Sequence, residues 1–220
     1  IETADGSHTL YVQELGERYH SIHGAVQESK HVFINSGLKQ FIPFYKNEQS
    51  VNILEIGFGT GLNVLLTLME TESLSVPINY TAIEAFPLER NIIEQLNYID
   101  LLNAEPYKAH FHNMHYCEWG KSINITRYFS FCKLHITFEK AIFKPEFDLI
   151  YFDAFGPRVQ PEMWTAELFT KLFTAMKTGA CLVTYCAQGE VKRTFRKTGF
   201  IVESIQGPPG KREMIRAWKK

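Results

Sequence analysis

Compact apolar runs alternate with longer, helix-patterned stretches through most of this chain. Val51–Ile56, Ile78–Ile83, Phe147–Phe152 and Ala180–Tyr185 have the length and apolarity of buried strands. Between them, Leu62–Thr71 reads as a helix, and Pro87 opens another running towards Leu96. Thr165–Met176 predicts a helix stopped by Gly179, and Val191–Lys197 a basic amphipathic one. Gly24–Leu38, with Ala25, Val26, Val32, Phe33 and Ile34 as its apolar positions, predicts a helix ahead of the first strand. Gly199–Glu203 and Arg212–Trp218 predict two closing strands, and residues 100–145 show no clear period.

Strands alternating with helices predict an α/β fold, a mostly parallel sheet with helices on both faces. The 220 residues suit one domain, 1–220, with residues 1–45 as a cap-like N-terminal extension. Ligands of such sheets bind at the carboxyl ends of the strands. Gly57, Glu84 and Asp153 all fall at such ends.

The segment Glu55-Ile-Gly-Phe-Gly-Thr-Gly61 carries a strand into a helix through three glycines at alternate positions. Glycine permits the sharp turn and removes the Cβ that would block a close ligand. Amides at the helix start favour an anionic group such as a carboxylate. A dinucleotide fingerprint would need its third glycine where Leu62 stands. The spacing found, with Glu55 before it, is the usual form in adenosylmethionine enzymes. Glu55, Gly57, Gly59, Thr60 and Gly61 are therefore candidate cofactor contacts, and Glu84 a candidate partner of ribose hydroxyls. Without a ligand, the same pattern is a tight structural turn.

Tyr151-Phe-Asp-Ala-Phe-Gly-Pro157 sets an acid and a loop after another central strand. Asp153 can accept a hydrogen bond from an amine, which is mostly protonated near neutral pH and must lose a proton to be methylated. Asp153 is the candidate catalytic group, and a loop hydrogen bond its structural alternative. Phe155 is read as a pocket wall and Phe152 as core.

The net charge of -1 excludes a uniformly basic nucleic-acid binder. From Gln188 to Lys220, however, nine cations face three acids. That local surplus suits a polyanion or a solvated helix face equally well. No apolar run approaches the roughly 20 residues that span a bilayer, so no membrane contact is expected. Four cysteines without a CxxC pair read as reduced thiols of a cytoplasmic protein. His110, His112, His115 and Cys117 cluster, but their spacing matches no zinc site and sulfonium methyl transfer needs no metal, so none is expected.

Several stretches together resemble one family. They are Thr3–Leu10, Gly16–Ser21, Glu55–Asn63, Asp153–Pro157, Pro161–Thr165, Thr184–Ala187 and Gly210–Met214, in family order along nearly the whole chain. The chain resembles the methyltransferase domain of MnmC, the bacterial tRNA-modifying enzyme, and its stand-alone relatives. The resemblance implies a Rossmann-like class I methyltransferase fold and S-adenosylmethionine as cofactor. It implies methyl transfer to the aminomethyl nitrogen of a modified wobble uridine in tRNA, giving 5-methylaminomethyl(-2-thio)uridine. It makes the tRNA anticodon region a partner. Tyr19, Phe155, Pro157, Tyr185, Lys211 and Arg212 are then candidate substrate contacts. MnmC carries a flavin-dependent oxidase domain after this one; no flavin is expected in this chain, and a separate oxidase is an expected partner. The family's Gly-Asp pair after the third strand is missing from Leu134–Ile142, where Glu139 stands in as the candidate adenine contact.

Other functions compete. A small-amine methyltransferase or an aminopropyltransferase-like enzyme would not need the basic C-terminal face. A dinucleotide oxidoreductase is disfavoured by Leu62. A non-catalytic scaffold would bind adenosylmethionine without turnover.

Overall fold

The computed structural model describes residues 1–44 and 50–220. Among the described residues ten strands form, β1 Tyr11–Val12, β2 Glu17–Arg18, β3 Val51–Ile56, β4 Ile78–Glu84, β5 Ile123–Thr126, β6 Phe129–His135, β7 Phe147–Phe152, β8 Met176–Thr184, β9 Ile201–Gln206 and β10 Glu213–Trp218. The helices are α1 Ala25–Ser29, α2 Lys39–Phe41, α3 Leu62–Leu74, α4 Arg90–Ile93, α5 Tyr98–Leu101, α6 Lys108–Tyr116, α7 Ala166–Ala175 and α8 Gly189–Lys197. Beyond the small β1–β2 ladder, one eight-stranded sheet runs in the order β5-β6-β4-β3-β7-β8-β10-β9.

The five central strands β6, β4, β3, β7 and β8 are parallel, and antiparallel strands close both edges. Every residue of β7 is buried, as a central parallel strand covered on both faces requires. The chain starts the sheet at β3, builds outward through β4 to β6, then crosses back to β7. The crevice between β3 and β7 is thus the switch point where such sheets bind ligands.

Several sequence-based boundaries move. The expected helix Gly24–Leu38 is α-helical only through α1; Lys30–Leu38 winds as a π-helix that packs over β7, β8, β10 and α3. Tyr45, the last residue of the N-terminal stretch, lies outside the described residues. The helix expected from Pro87 to Leu96 shrinks to α4, because Asn97 is tied to Gly6 and His8 and the chain must turn to reach them. Thr165 caps α7 by accepting from the Leu168 amide, but the helix ends at Ala175. Met176 instead pairs with Phe147 and opens β8, so Gly179 sits inside a strand rather than stopping a helix. The unreadable stretch 100–145 contains α6 and the β5–β6 hairpin.

Two apolar layers flank the sheet. On one face Phe58, Leu65, Tyr80, Phe131 and Tyr151 pack with α3, α6 and the π-helical segment. On the other, Phe152, Trp164, Phe169 and Phe195 pack with α7 and α8. Phe169 stacks on Phe195 with centroids 3.9 Å apart and meets Phe152 and Trp164 edge-on. Trp164 also donates to the Phe155 carbonyl, so this layer anchors the loop after β7. Phe169→Ala should therefore lower unfolding free energy by about 3–5 kcal/mol in denaturant titration; a loss below about 1 kcal/mol would show that the layer collapses around the void.

Candidate functional site

The glycine turn lies against the end of β7. Gly57 has φ +94°, and a Cβ there would lie 2.7 Å from the Asp153 carbonyl oxygen. That oxygen is backbone and cannot yield. Gly61, at φ +73°, forms the N-cap of α3, where a Cβ would meet the His115 ring nitrogen at 2.8 Å. The amides of Gly57 and Phe58 donate to Ile83 O, that of Gly61 to Phe58 O and that of Gly59 to a Glu84 carboxylate oxygen. The turn's own glycine amides are thus consumed within the protein, leaving the first-turn amides of α3 for an anion.

A cavity opens beside this turn. Its floor is the turn itself, with Gly57, Gly59 and Thr60. Glu84 and Phe86 line one side, and Ile136, Phe138 and Glu139 continue that wall. Asp153, Phe155, Gln160 and Glu162 line the other, and Tyr19 and His20 reach over from the N-terminal stretch. Tyr19 meets Phe155 edge-on at 5.2 Å, closing the two sides onto each other. Glu84 accepts from the Gly59 and Phe86 amides, each at 2.8 Å, and burial raises its pKa. His20 is held down to about 4 by burial, and is neutral near pH 7.

Burial likewise pushes the Asp153 carboxyl up to about 7. One of its oxygens accepts from Asn63 Nδ2 at 2.8 Å, and the same nitrogen donates to Glu55 at 2.9 Å. Asn63 is a site residue that the sequence reading passed over. Its signals are its place at the second position of α3 and at the end of the family-resembling stretch Glu55–Asn63.

The other candidates divide. Gly57, Gly59, Thr60, Glu84, Glu139, Tyr19, Phe155 and Asp153 all line the cavity, although Gly61 does not. Thr60 does so with its hydroxyl already accepting from Tyr98 at 3.1 Å. Glu139 is on the wall but exposed, its carbonyl held by Lys171. Glu55 is fully buried beneath Asn63 and away from the cavity, because β3 points it into the sheet's interior. Pro157, Tyr185, Lys211 and Arg212 are not on the cavity wall. Tyr185 donates to the Ala154 carbonyl at 2.9 Å, and Lys211 lies 3.8 Å over its ring while pairing with Glu28 at 2.5 Å. These two side chains brace the loop after β7 from behind.

The histidine cluster resolves similarly. His115 Nε2 sits 3.2 Å from the Thr60 carbonyl, which can only accept, so that nitrogen carries the proton. Burial holds the ring down to about 3. Lys133, itself buried, donates to the His115 carbonyl and lies 4.4 Å over the Trp119 ring. The pair props the glycine turn from below. Among the described residues, no group of His, Cys, Asp and Glu converges as a metal site.

A family model of S-adenosyl-L-methionine-dependent methyltransferases matches residues 107–220. The "tRNA 5-methylaminomethyl-2-thiouridine biosynthesis bifunctional protein MnmC" of Magnetococcus marinus is 30% identical over 98% of this chain and 34% of its own length. That of Nitrosospira multiformis is 27% identical over 94% of this chain and 34% of its own. The chain spans about a third of the length of the curated relatives it matches. The crystal structure of MNMC2 from Aquifex aeolicus superposes with a TM-score of 0.79 at 25% identity, covering 100% of this chain and 69% of that one. Spermidine synthase from Thermotoga maritima shares the fold, with a TM-score of 0.53 at 12% identity over 96% of this chain and 67% of that one.

The close contact at Gly57 can be tested directly. Gly57→Ala must either strain its backbone or push β7 away, and should cost about 1–3 kcal/mol in unfolding free energy; a variant as stable as the parent protein would mean the turn is not pressed against β7.

Proposed function

The chain belongs to the family of S-adenosyl-L-methionine-dependent methyltransferases, and on that premise we propose that it methylates the aminomethyl nitrogen of a modified wobble uridine in tRNA. The observation that carries this reading is Asp153. It is a half-buried carboxyl at the switch point, facing the cavity beside the glycine turn, and its ordinary acidity is shifted to the neutral range. A carboxyl so placed suits an acceptor that must give up a proton, as an alkylamine must. The names of the MnmC relatives point to the same acceptor.

The cavity fits the cofactor by its own geometry. Gly57 and Gly59 bring backbone to the cavity wall. Glu84 keeps lone pairs for ribose hydroxyls after its two amide bonds. Ile136, Phe138 and the exposed Phe86 offer apolar surface for a base, with Glu139 at its edge. When bound, S-adenosylmethionine supplies an electrophilic methyl carbon on a sulfonium. Tyr19, with residues 1–43 as a cap, and Phe155 narrow the entrance and hold acceptor and donor in line, the alignment that contributes most to such displacements. Asp153 would accept a hydrogen bond from the acceptor amine and take up the proton it gives up, while the methyl carbon's bond to sulfur breaks as its bond to nitrogen forms and the neutral thioether S-adenosylhomocysteine leaves.

Charge supports a polyanionic partner more narrowly than composition suggests. Lys192 pairs with Glu213, Lys211 with Glu28 and Arg216 with Glu203, while Lys219 caps the carbonyls of Phe173 and Met176. Exposed cations remain at Arg193, Arg196 and Lys197 of α8, at Arg212 and at Arg158 beside the acceptor loop. Val191 and Phe195 fix the inner face of α8, which turns Arg193, Arg196 and Lys197 outward. We read this face, with Arg212, as the tRNA backbone contact, and Pro157 as an acceptor-loop residue near the nucleotide. Among the described residues no helix is long and apolar enough to cross a membrane. A tRNA substrate places the activity in the cytoplasm, and a separate flavin-dependent oxidase is a partner that would supply the aminomethyl group.

Radiolabelled-methyl S-adenosylmethionine and tRNA carrying 5-aminomethyl-2-thiouridine should yield label in the methylaminomethyl nucleoside. Asp153→Asn should lower kcat/KM by about 10²–10⁴. Label in small amines but not in tRNA would sink the assignment. Because Asp153 must be ionised to accept a proton and its pKa is raised, kcat/KM should fall about tenfold per pH unit as pH drops below about 7. Reversing Arg193, Arg196 and Lys197 to Glu should weaken tRNA binding and flatten its salt dependence while leaving S-adenosylmethionine affinity intact. Unchanged tRNA affinity would remove α8 from the interface.

A further inference from the structure

Glu55 and Asp153 hang from adjacent parallel strands and share a single donor, the Asn63 amide nitrogen. The two carboxyl oxygens are therefore no more than about 6 Å apart. Glu55 has no exposed surface and no cation beside it; besides Asn63, the Tyr80 hydroxyl faces it and can donate to it. The Asn63 carbonyl oxygen is buried without a partner among the described residues. A carboxylate at Glu55 would be a buried charge held by neutral donors alone and next to a second carboxylate, which is costly. A neutral carboxylic acid there removes the repulsion.

We propose that the two acids carry one proton between them, with Glu55 kept as a neutral buried acid and Asp153, held by Asn63 as a positioning residue, left as the one carboxylate open to the acceptor. Both amide hydrogens of Asn63 are committed, one to each carboxyl. Each bond favours the charged form of the carboxyl it reaches, so the surroundings decide the division: Glu55 is fully buried, whereas Asp153 is half-buried and opens to the cavity. Around Asp153 the other charged or titratable groups are Glu28 on α1, Lys211 ahead of β10 and Tyr185 just past β8. Around Glu55 they are Tyr80 and Glu84 on β4 and Tyr151 on β7. Lys211, the only cation among them, acts on Asp153, which favours ionisation on that side of the amide.

The rate readout below rests on the role given to Asp153 above; the spectroscopic one does not. By infrared difference spectroscopy at about pH 9, two units above the Asp153 value, the protein should still show the carbonyl stretch of a protonated carboxylic acid. Glu55→Gln should remove that band. A band that is missing, or that survives Glu55→Gln, overturns the proposal even if no tRNA is ever methylated. In the kinetic arm, Asn63→Leu and Asn63→Ala should move the acid limb of log kcat/KM upward by at least about one pH unit, since Asp153 loses the bond that favours its charge. Glu55→Gln should keep the limb where the parent protein has it, whatever its rate. A limb that stays put in both Asn63 variants, or moves in Glu55→Gln, also overturns it. Should the Asn63 variants fail to fold, the infrared comparison decides alone.

Discussion

Two strand ends meet at backbone distance. Gly57 leaves β3 and Asp153 leaves β7 so close that the space for one methyl group between them is already taken by a carbonyl oxygen. This contact fixes the direction in which the chain leaves β3, hence the tilt of α3, hence where Asn63 points. It also lets Glu84 at the end of β4 reach across and hold the Gly59 amide. The three carboxyl groups of the site, on three neighbouring strands, are thereby held to one short turn. A bulkier residue at position 57 would separate them all.

Much of this frame could be read from the residues, and the reasons are local. A fully buried parallel strand is an unbroken apolar run, so Val51–Ile56, Ile78–Ile83 and Phe147–Phe152 stand out. A turn that needs left-handed backbone needs glycine, so Gly57–Gly61 stands out too. What failed depended on tertiary partners. Met176 has a helical neighbourhood in sequence but a strand partner, Phe147, in space. The β5–β6 hairpin brings the sheet to its edge at β5, and a buried lysine, Lys133, interrupts the apolar side of β6. Its lysine makes sense only beside the α6 carboxyl end and Trp119, neither of which the sequence brings near.

The same distinction runs through the candidate residues. Glu84 and Asp153, read as strand ends, both line the cavity, because position on a parallel strand determines which end a side chain occupies. Face was harder. Glu55 is two residues before Gly57 but points into the interior, so proximity in sequence to the turn did not mean proximity to the cavity. The basic C-terminal residues were legible as charge and not as free charge. Glu213, Glu28 and Glu203 neutralise three of them, and only the folded arrangement separates those braces from the cations left in solvent.

The ion pair of Lys211 with Glu28 joins positions 183 residues apart, and β10 slots between β8 and β9 although both precede it in the chain. Until β10 is in place, β8 is paired on its β7 side alone and β9 has no partner in the sheet. Lys211, just ahead of β10, then latches α1, which the chain laid down far earlier. Order along the chain thus runs opposite to order of closure: a late strand seals a cleft whose floor is built from early ones.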